Sequence, residues 1–150
     1  MATFVKSVII DAPVETVFAF HERPDALQVL SPPFPPMRVL RKNGGIETGS
    51  RVELRMGLME WEALHTAFER NQVFADRQIR GPFLQWEHRH EFEDLGDTTR
   101  LTDRVTYLLP GGLPAHVALG WLVKLALEAL FAYRHRVTKR ICEKDSGARS

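Results

Sequence analysis

Two neighbouring runs of the sequence carry ionisable side chains at alternate positions. The first run places Trp86, His88, His90 and Phe92 two residues apart, and the second does the same with Leu101, Asp103, Val105 and Tyr107. Alternate residues of a β-strand point to the same face of its sheet. An imidazole beside a carboxylate can transfer protons, with the carboxylate fixing the tautomer of the ring. Each run therefore predicts a strand with ionisable side chains on one face.

The short connection between the two runs predicts how they pair. If Gly96 and Asp97 form a two-residue hairpin turn, counting back from it sets His90 opposite Asp103. The neighbours on this face are apolar and aromatic, so we expect it to look inward. A facing carboxylate raises the pKa of an imidazole, whereas burial lowers it. The sequence leaves open which effect dominates.

A second histidine–aspartate pair depends on a loop length. If residues 70–72 form a turn, His65 faces Asp76. The pair joins the first cluster if residues 81–83 form a three-residue loop, and it points to solvent if the loop has two residues. Both outcomes stay open, because a shift of one residue turns every side chain of a strand to the other face.

The rest of the chain reads as one strand, two short helices, six strands and a long helix. The expected strands are 3–10, 37–42, 49–58, 60–69, 73–80, 84–94 and 99–109; the expected short helices begin near Pro13 and span 24–30; the long helix runs from Pro114 to about Glu143. Short connections between the strands indicate antiparallel hairpins, and a sheet this wide should curl.

The long helix carries an apolar stripe at helical spacing. The stripe comprises Leu119, Leu122, Val123, Ala126, Leu130, Tyr133, Val137 and Ile141, and we expect it to face the sheet. Trp121, Leu125 and Phe131 lie off that stripe. We expect these three side chains to need further cover, from the Pro-rich segment or from a second subunit.

Length and composition limit the classes of protein. The chain has 150 residues with a net charge of +1, and its basic and acidic residues are interleaved, so nucleic acid is not an expected partner. Lys124 and Glu128 interrupt the most apolar stretch, which is better explained as a buried helix than as a stable membrane insertion. We expect a cytoplasmic protein with one domain over 1–144 and a frayed tail over 145–150.

Several blocks of residues resemble a known superfamily. They are Asp11-Ala12-Pro13-Val14-Glu15-Thr16-Val17-Phe18, Gly81-Pro82-Phe83 with the run Trp86 to Phe92, and Leu101 to Tyr107 with Phe131 to His135. The sequence resembles the START/Bet v 1-like superfamily, also called SRPBCC or polyketide cyclase/dehydrase-like. The resemblance implies an α+β helix-grip fold, in which a curved seven-stranded antiparallel sheet holds one long C-terminal helix. It also implies two short helices after the first strand.

The superfamily's members bind lipids, sterols, hormones or polyketides, and only some of them catalyse reactions. The leading hypothesis is therefore binding or transport of a small hydrophobic or amphipathic molecule in a cavity between the sheet and the helix. The candidate ligand-binding residues are Trp61, His65, Asp76, Trp86, His88, His90, Asp103, Tyr107, Leu122, Ala126, Leu130 and Arg134. Arg134 is a candidate contact for a ligand carboxylate or for Asp103.

Two other classes of function remain open. An enzyme of the cyclase, dehydratase or hydrolase kind would use His90 or His88 as acid and base, with Asp103 orienting the ring. An interaction module would contact a protein, a membrane or a second copy of the chain through the loop at Phe34 and the surplus apolar residues of the helix. His88, His90 and Asp103 also form a two-histidine, one-carboxylate set. We expect no metal and no cofactor, because this fold rarely carries one.

Overall fold

The computed structural model describes residues 1–148, which form one sheet and three helices. The elements in chain order are β1 (Ala2–Ile10), α1 (Val14–His21), α2 (Ala26–Val29), β2 (Met37–Asn43), β3 (Arg51–Met56), β4 (Met59–Glu69), β5 (Val73–Arg80), β6 (Gln85–Asp94), β7 (Thr99–Leu108) and α3 (Leu113–Ala148). This order confirms the predicted one. The boundaries differ from the expected ones by a few residues, most at the end of α3.

The seven strands pair in the order β1-β7-β6-β5-β4-β3-β2, and every pair is antiparallel. From β2 to β7 each strand neighbours the next one along the chain, as short hairpin connections require. The first strand closes against the last, so β1 and β2 form the two edges. With α3 packed on β1 and α1, this is the helix-grip fold.

The turn between β6 and β7 fixes the register of the two central strands. The backbone N–H of Leu95 donates to the carbonyl of Thr98 at 3.0 Å, which leaves two residues in the turn. Gly96 there has a φ of 94°, a left-handed conformation that glycine adopts without strain. The resulting register pairs His90 with Asp103. The pairing predicted from the sequence is therefore confirmed.

The apolar interior consists of two clusters. The first, next to α1, contains Ile10, Ala12, Val14, Val17, Phe18, Phe20, Leu30, Phe74, Phe92, Leu101, Val137 and Cys142. The second, under the N-terminal half of α3, contains Phe4, Val105, Tyr107, Leu109, Leu127 and Phe131. Strands β6 and β7 supply residues to both clusters, with a gap between them. On β7, for example, Leu101 belongs to the first cluster and Val105 to the second, and Asp103 lies between them.

The buried face of α3 differs from the predicted stripe. Its buried residues recur at intervals of three and four, at Leu127, Phe131, His135, Thr138 and Cys142. Our expectation that Phe131 lies off the buried face is wrong, because only 1% of this side chain is exposed. The helix is apolar on most sides in this region, so spacing alone could not select the face that packs.

The predicted stripe is covered over only half of its length. Tyr133, Val137 and Ile141 pack into the cluster next to α1. Leu119 and Leu122 continue the stripe toward the helix start, yet each is 51% exposed. Because α1 does not extend that far, the stripe changes from a packed surface to an open one along the helix.

Apolar side chains are also exposed beside the stripe. Trp121 is 63% exposed and Leu125 is 59% exposed, which agrees with their predicted place off the packed face. An 18-residue window of this helix has a mean hydropathy of 1.5 with 17% of it buried, so by length and composition alone it could cross a membrane.

The helix continues to Ala148, through part of the segment expected as a tail, and residues 149–150 lie outside the described chain.

Candidate functional site

A band of ionisable residues fills the gap between the two apolar clusters. It draws on α1, four strands and α3, and its members are His21, His65, Asp76, His88, His90, Asp103, Arg134 and His135. Five of the six histidines of the chain are in this band, and all five are buried. Buried polar groups require partners, because an unpaired one costs about 1 to 3 kcal/mol. The members of the band therefore need hydrogen-bond partners within an apolar interior.

The carboxylate of Asp103 is the centre of the network. Nε2 of His88 donates to its Oδ1 at 2.7 Å, and Nε2 of His135 donates to its Oδ2 at 2.6 Å. Nδ1 of His90 approaches Oδ1 to 3.0 Å without the alignment of a regular hydrogen bond. Each nitrogen that faces the carboxylate carries the proton, because the oxygens only accept. Asp103 thus sets the tautomer of the two hydrogen-bonded rings and leaves their other nitrogens as acceptors.

The network separates the charge states of its members. Burial raises the pKa of Asp103, but the hydrogen bonds from His135 and His88 and the close contact with His90 outweigh it and hold that pKa well below its usual value. Burial and the charge of the nearby His90 lower the pKa of His88, and the raising effects of Asp103 and Asp76 do not offset them. Burial also lowers the pKa of His90, yet Asp103 and Asp76 together raise it above its usual value. His88 is thus disposed to be neutral and His90 to be charged.

The pair of His65 and Asp76 belongs to the same face of the sheet. The two residues are directly opposite one another in the β4–β5 register, and Asp76 is opposite His88 in the β5–β6 register. This is the register that a three-residue connection at 81–83 requires. Oδ2 of Asp76 lies 3.8 Å from Nε2 of His90. Burial lowers the pKa of His65, and Asp76 only partly offsets it.

From the sequence we selected Arg134 on α3 as a site residue and did not select the adjacent His135. Arg134 was a candidate contact for a ligand carboxylate or for Asp103; within residues 1–148 the hydrogen bond from α3 to Asp103 comes from the adjacent His135. Arg134 instead sets its guanidinium carbon 5.5 Å from the centre of the Phe131 ring. His135 follows Phe131 by four residues, so the correct buried face of α3 would have identified it.

His21 also joins the site without having been selected from the sequence. It lies on α1, where its Nδ1–H donates to the carbonyl of Val17 at 2.9 Å, and its ring centre is 6.0 Å from that of His90. Burial, followed by the charge on His90, lowers the pKa of His21 to about 4. Its position on the apolar face of the short helix was the available signal. A histidine there must be neutral or paired.

Aromatic side chains line the band on the side of the second cluster. The ring of Trp61 meets that of Trp86 edge-on at 5.0 Å and that of Phe83 at 5.8 Å. Tyr107 is buried within this cluster, and Leu130 packs against it while half-buried. These four predicted site residues therefore surround one apolar surface: Trp61, Trp86, Tyr107 and Leu130.

Two predicted ligand-binding residues of α3 are not buried beside the band. Leu122 is 51% exposed, and Ala126 is exposed as well. They lie on the uncovered half of the stripe rather than within an enclosed space. The expectation that they line a closed cavity is wrong, because α1 covers the stripe only beyond Leu130.

The interior around the histidines is packed. Phe74 stacks on His90 with ring centres 3.9 Å apart, and Phe131 meets His88 edge-on at 5.1 Å. A groove of about 510 Å³ lies instead between β1 and α3, and among the band residues it reaches only His135. Its other walls are largely charged. The side chain of Asp76, which is 17% exposed, gives the band a solvent contact.

The sheet, the helix that it holds and the polar band between apolar clusters define a small helix-grip domain. Residues 10–131 match the family model described as polyketide cyclase/dehydrase and lipid transport. The chain belongs to this family, as the resemblance implied. Comparison with curated protein sequences gives no match.

Solved structures share the fold. A nucleoside-diphosphate sugar epimerase from Corynebacterium glutamicum is 26% identical with a TM-score of 0.70; the match covers 91% of this chain and 28% of that one. The chain thus spans little more than a quarter of that relative. The aromatase/cyclase Zhui from Streptomyces is 16% identical, with 95% and 94% covered and a TM-score of 0.69. Norcoclaurine synthase from Thalictrum flavum is 11% identical, with 96% and 95% covered and a TM-score of 0.72. These last two likenesses concern the fold alone.

Proposed function

We propose that the protein binds, and in that way carries, a small amphipathic molecule. Its apolar part would lie against the uncovered stripe of α3, and its polar group would reach the ionisable band. The observation that carries this proposal is that Leu119, Leu122 and Ala126 of the stripe are exposed, whereas its other residues pack in the two clusters. An apolar surface that borders a buried polar network is the general form of a small-molecule site.

Residues of α3 and residues of the sheet side together form the apolar end of the proposed site. Val123 and Leu130 of α3 pack in the same cluster as Phe83 and Trp86 of the sheet. Leu122 lies one residue before Val123 and exposes about half of its surface. A ligand that covers this edge would remove apolar surface from water, at about 25 cal/mol for each Å².

The polar end supplies unused hydrogen-bonding atoms. Within residues 1–148, Nδ1 of His135 and Nε of Arg134 are buried without a hydrogen-bond partner. Since Nε2 of His135 donates to Asp103, its Nδ1 is an acceptor, whereas Nε of Arg134 is a donor. A ligand hydroxyl could donate to Nδ1 of His135 and accept from Nε of Arg134, whereas a carbonyl could only accept from Arg134. This chemistry favours an oxygenated amphipathic molecule over a plain hydrocarbon.

Titration with cis-parinaric acid tests the proposal, because this fluorescent fatty acid has one carboxylate and accepts energy from tryptophan. We expect saturable binding with energy transfer from Trp86. Leu122→Ser should weaken binding by about fivefold, since roughly 1 kcal/mol of apolar burial is lost. Leu113→Ser is the matched control, because Leu113 is also exposed and lies nine residues before Leu122, which is half a turn around the helix. Equal effects of the two substitutions, or an absence of binding, would contradict the site.

Acid–base catalysis is the second candidate, and the contacts of Asp103 favour it. A neutral His88 and a charged His90 on one carboxylate oxygen form an acid and a base within reach of one substrate. The probe is exchange of the α-protons of an acetoacetyl thioester in D2O, followed by NMR. His90→Asn should abolish protein-dependent exchange while parinaric acid still binds. Exchange that continues in this variant would exclude His90 from the reaction.

Contact with a second copy of the chain is a further proposal, supported by the exposed face around Trp121 and Leu125. Apolar residues there recur at intervals of three and four, the spacing that lets helices pack side by side. Sedimentation velocity of the wild type and of Trp121→Ser would test it, with a shift from dimer to monomer expected. Pelleting with liposomes would instead identify a membrane contact. The cytoplasmic location stays a prediction, which fractionation of the full-length protein checks.

A further inference from the structure

Three side chains on β5 and β6 converge on the same face of the sheet. Asp76, His88 and His90 each offer one ligand atom, and these atoms lie within 4.8 Å of one another. Asp76 is directly opposite His88 in the sheet, and His90 follows on the same face. We propose that these three residues bind a divalent first-row transition-metal ion such as Zn²⁺.

The spacing of the ligand atoms suits such an ion. Nε2 of His90 lies 3.8 Å from Oδ2 of Asp76. Ligands held at about 2.1 Å from a zinc ion in tetrahedral geometry are roughly 3.4 Å apart. Small rotations of the Asp76 side chain are enough to close this difference. The group is therefore nearly assembled before an ion binds.

Asp103 supplies the support that metal-binding histidines usually have. It takes Nε2 of His88 at 2.7 Å and Nδ1 of His90 at 3.0 Å, so these nitrogens carry protons. Nδ1 of His88 then has a lone pair for an ion, and Nε2 of His90 becomes a ligand when the ion displaces its proton. A carboxylate on the far side of each ligating imidazole fixes its tautomer and orientation. The set differs from the one that the sequence offered, because Asp103 supports the ligands and Asp76 takes its place among them.

His135 prevents Asp103 from turning toward the ion. Its Nε2 holds Oδ2 of Asp103 at 2.6 Å, with both side chains about 5% exposed or less. Asp76 is the more exposed carboxylate, with 17% of its side chain in contact with solvent. An ion can therefore enter from the Asp76 side, while Asp103 stays fixed beneath the rings.

The chemistry of the donors selects the class of metal. Two imidazoles and one carboxylate suit zinc, iron, cobalt or nickel, whereas calcium and magnesium prefer a shell of oxygen ligands. Three protein ligands leave further coordination positions for water or another small molecule. The proposal does not depend on the amphipathic ligand, because it concerns the protein and the ion alone.

Metal titration of the purified full chain, treated first with EDTA, tests the site. Zn²⁺ is measured by calorimetry and Co²⁺ by its visible absorption bands. We expect one equivalent with a micromolar or lower dissociation constant, and Co²⁺ bands of a nitrogen and oxygen site. Asp76→Ala should remove a ligand and weaken binding more than tenfold. Asp103→Asn should weaken it about 10- to 100-fold through the lost support.

Matched controls separate this site from casual binding. His116→Gln removes the one histidine outside the band, and Asp97→Asn removes an exposed carboxylate; neither should change the Zn²⁺ affinity. Circular dichroism checks that each variant folds, and the Asp76→Ala substitution gives the result if Asp103→Asn prevents folding. Zn²⁺ affinity that is unchanged in Asp76→Ala, or lost in His116→Gln, would overturn the proposal. So would an absence of binding at 100-fold excess metal over protein.

Discussion

His135 of α3 donates from Nε2 to Oδ2 of Asp103 at the centre of β7, over 2.6 Å and with both side chains buried. This hydrogen bond joins the long helix to the middle of the sheet. His88 and His90 contact the other oxygen of the same carboxylate. The grip of sheet on helix therefore includes a polar connection between two apolar clusters, and Asp103 is its common acceptor.

Asp103→Asn should destabilise the fold strongly. The amide keeps the shape of the side chain but loses its charge and one of its two acceptor oxygens, which leaves buried imidazoles without partners. Breaking a buried charge pair from one side costs about 3 to 5 kcal/mol. Urea unfolding measures the change, and Asp97→Asn in the exposed β6–β7 turn is the control. A loss below about 1 kcal/mol would show that the network does not hold the fold together.

The low pKa of His21 predicts that the protein loses stability in acid. The measurement uses EDTA-treated protein, so that a bound metal ion does not add its own pH dependence. The native ring has a pKa of about 4, below the ordinary 6.5, so it stays neutral where the unfolded chain takes up a proton. This contribution to stability is fully present above pH 6.5 and is lost progressively as the pH falls toward 4. The loss is on the order of 3 kcal/mol. Groups facing His21 are His90, Asp103 and His135.

His21→Leu should flatten the stability of the protein between pH 6.5 and pH 4. Urea unfolding across this range measures the slope. Phe18→Leu is the control, because it weakens the same cluster without changing a titratable group and should lower stability by a similar amount at each pH. A slope that is the same in His21→Leu and in the wild type would assign the acid sensitivity to other residues.

Cys142 should be inert toward thiol reagents in the native protein. Its side chain is fully buried, and burial together with Asp145 raises its pKa to about 12. Only the thiolate reacts readily, so both access and charge oppose modification. Ellman's reagent at pH 8 should label no thiol in the folded protein and one thiol in 6 M guanidinium. Rapid labelling without denaturant would contradict the burial of this residue.

The pairing of β6 and β7 could be predicted from the sequence, because a two-residue turn at Gly96 determines which residues of the two strands face each other. The sequence was also sufficient for the order of the elements, since breaks rich in proline and glycine separate clear periodic runs. It could not settle the side of β5 on which Asp76 lies, which depends on a single residue in the 81–83 connection. Whether this connection has two or three residues decides which face of the sheet a side chain occupies, and the residue types do not reveal that number.

The face of α3 could not be chosen from the sequence for a different reason. Between Leu119 and Phe131 nearly every position is apolar, so several stripes fit a helical period equally well. The choice follows from where β1 and α1 end, which is a tertiary constraint. His135 was missed as a consequence, because it lies on the stripe that was not selected. A network that spans two elements is visible only once both faces are known.

Alanine substitutions at Phe131 and Leu125 test the observed face of α3. Both residues lie off the stripe expected from the sequence, yet Phe131 is 1% exposed and Leu125 is 59% exposed. Phe131→Ala removes a ring that contacts His88 and Phe4 and should cost about 3 to 5 kcal/mol. Leu125→Ala should stay within about 0.5 kcal/mol of the wild type, as for most surface positions. Urea unfolding at pH 7 compares them, and similar losses at the two positions would mean that α3 packs through another face, with His135 then turned away from Asp103.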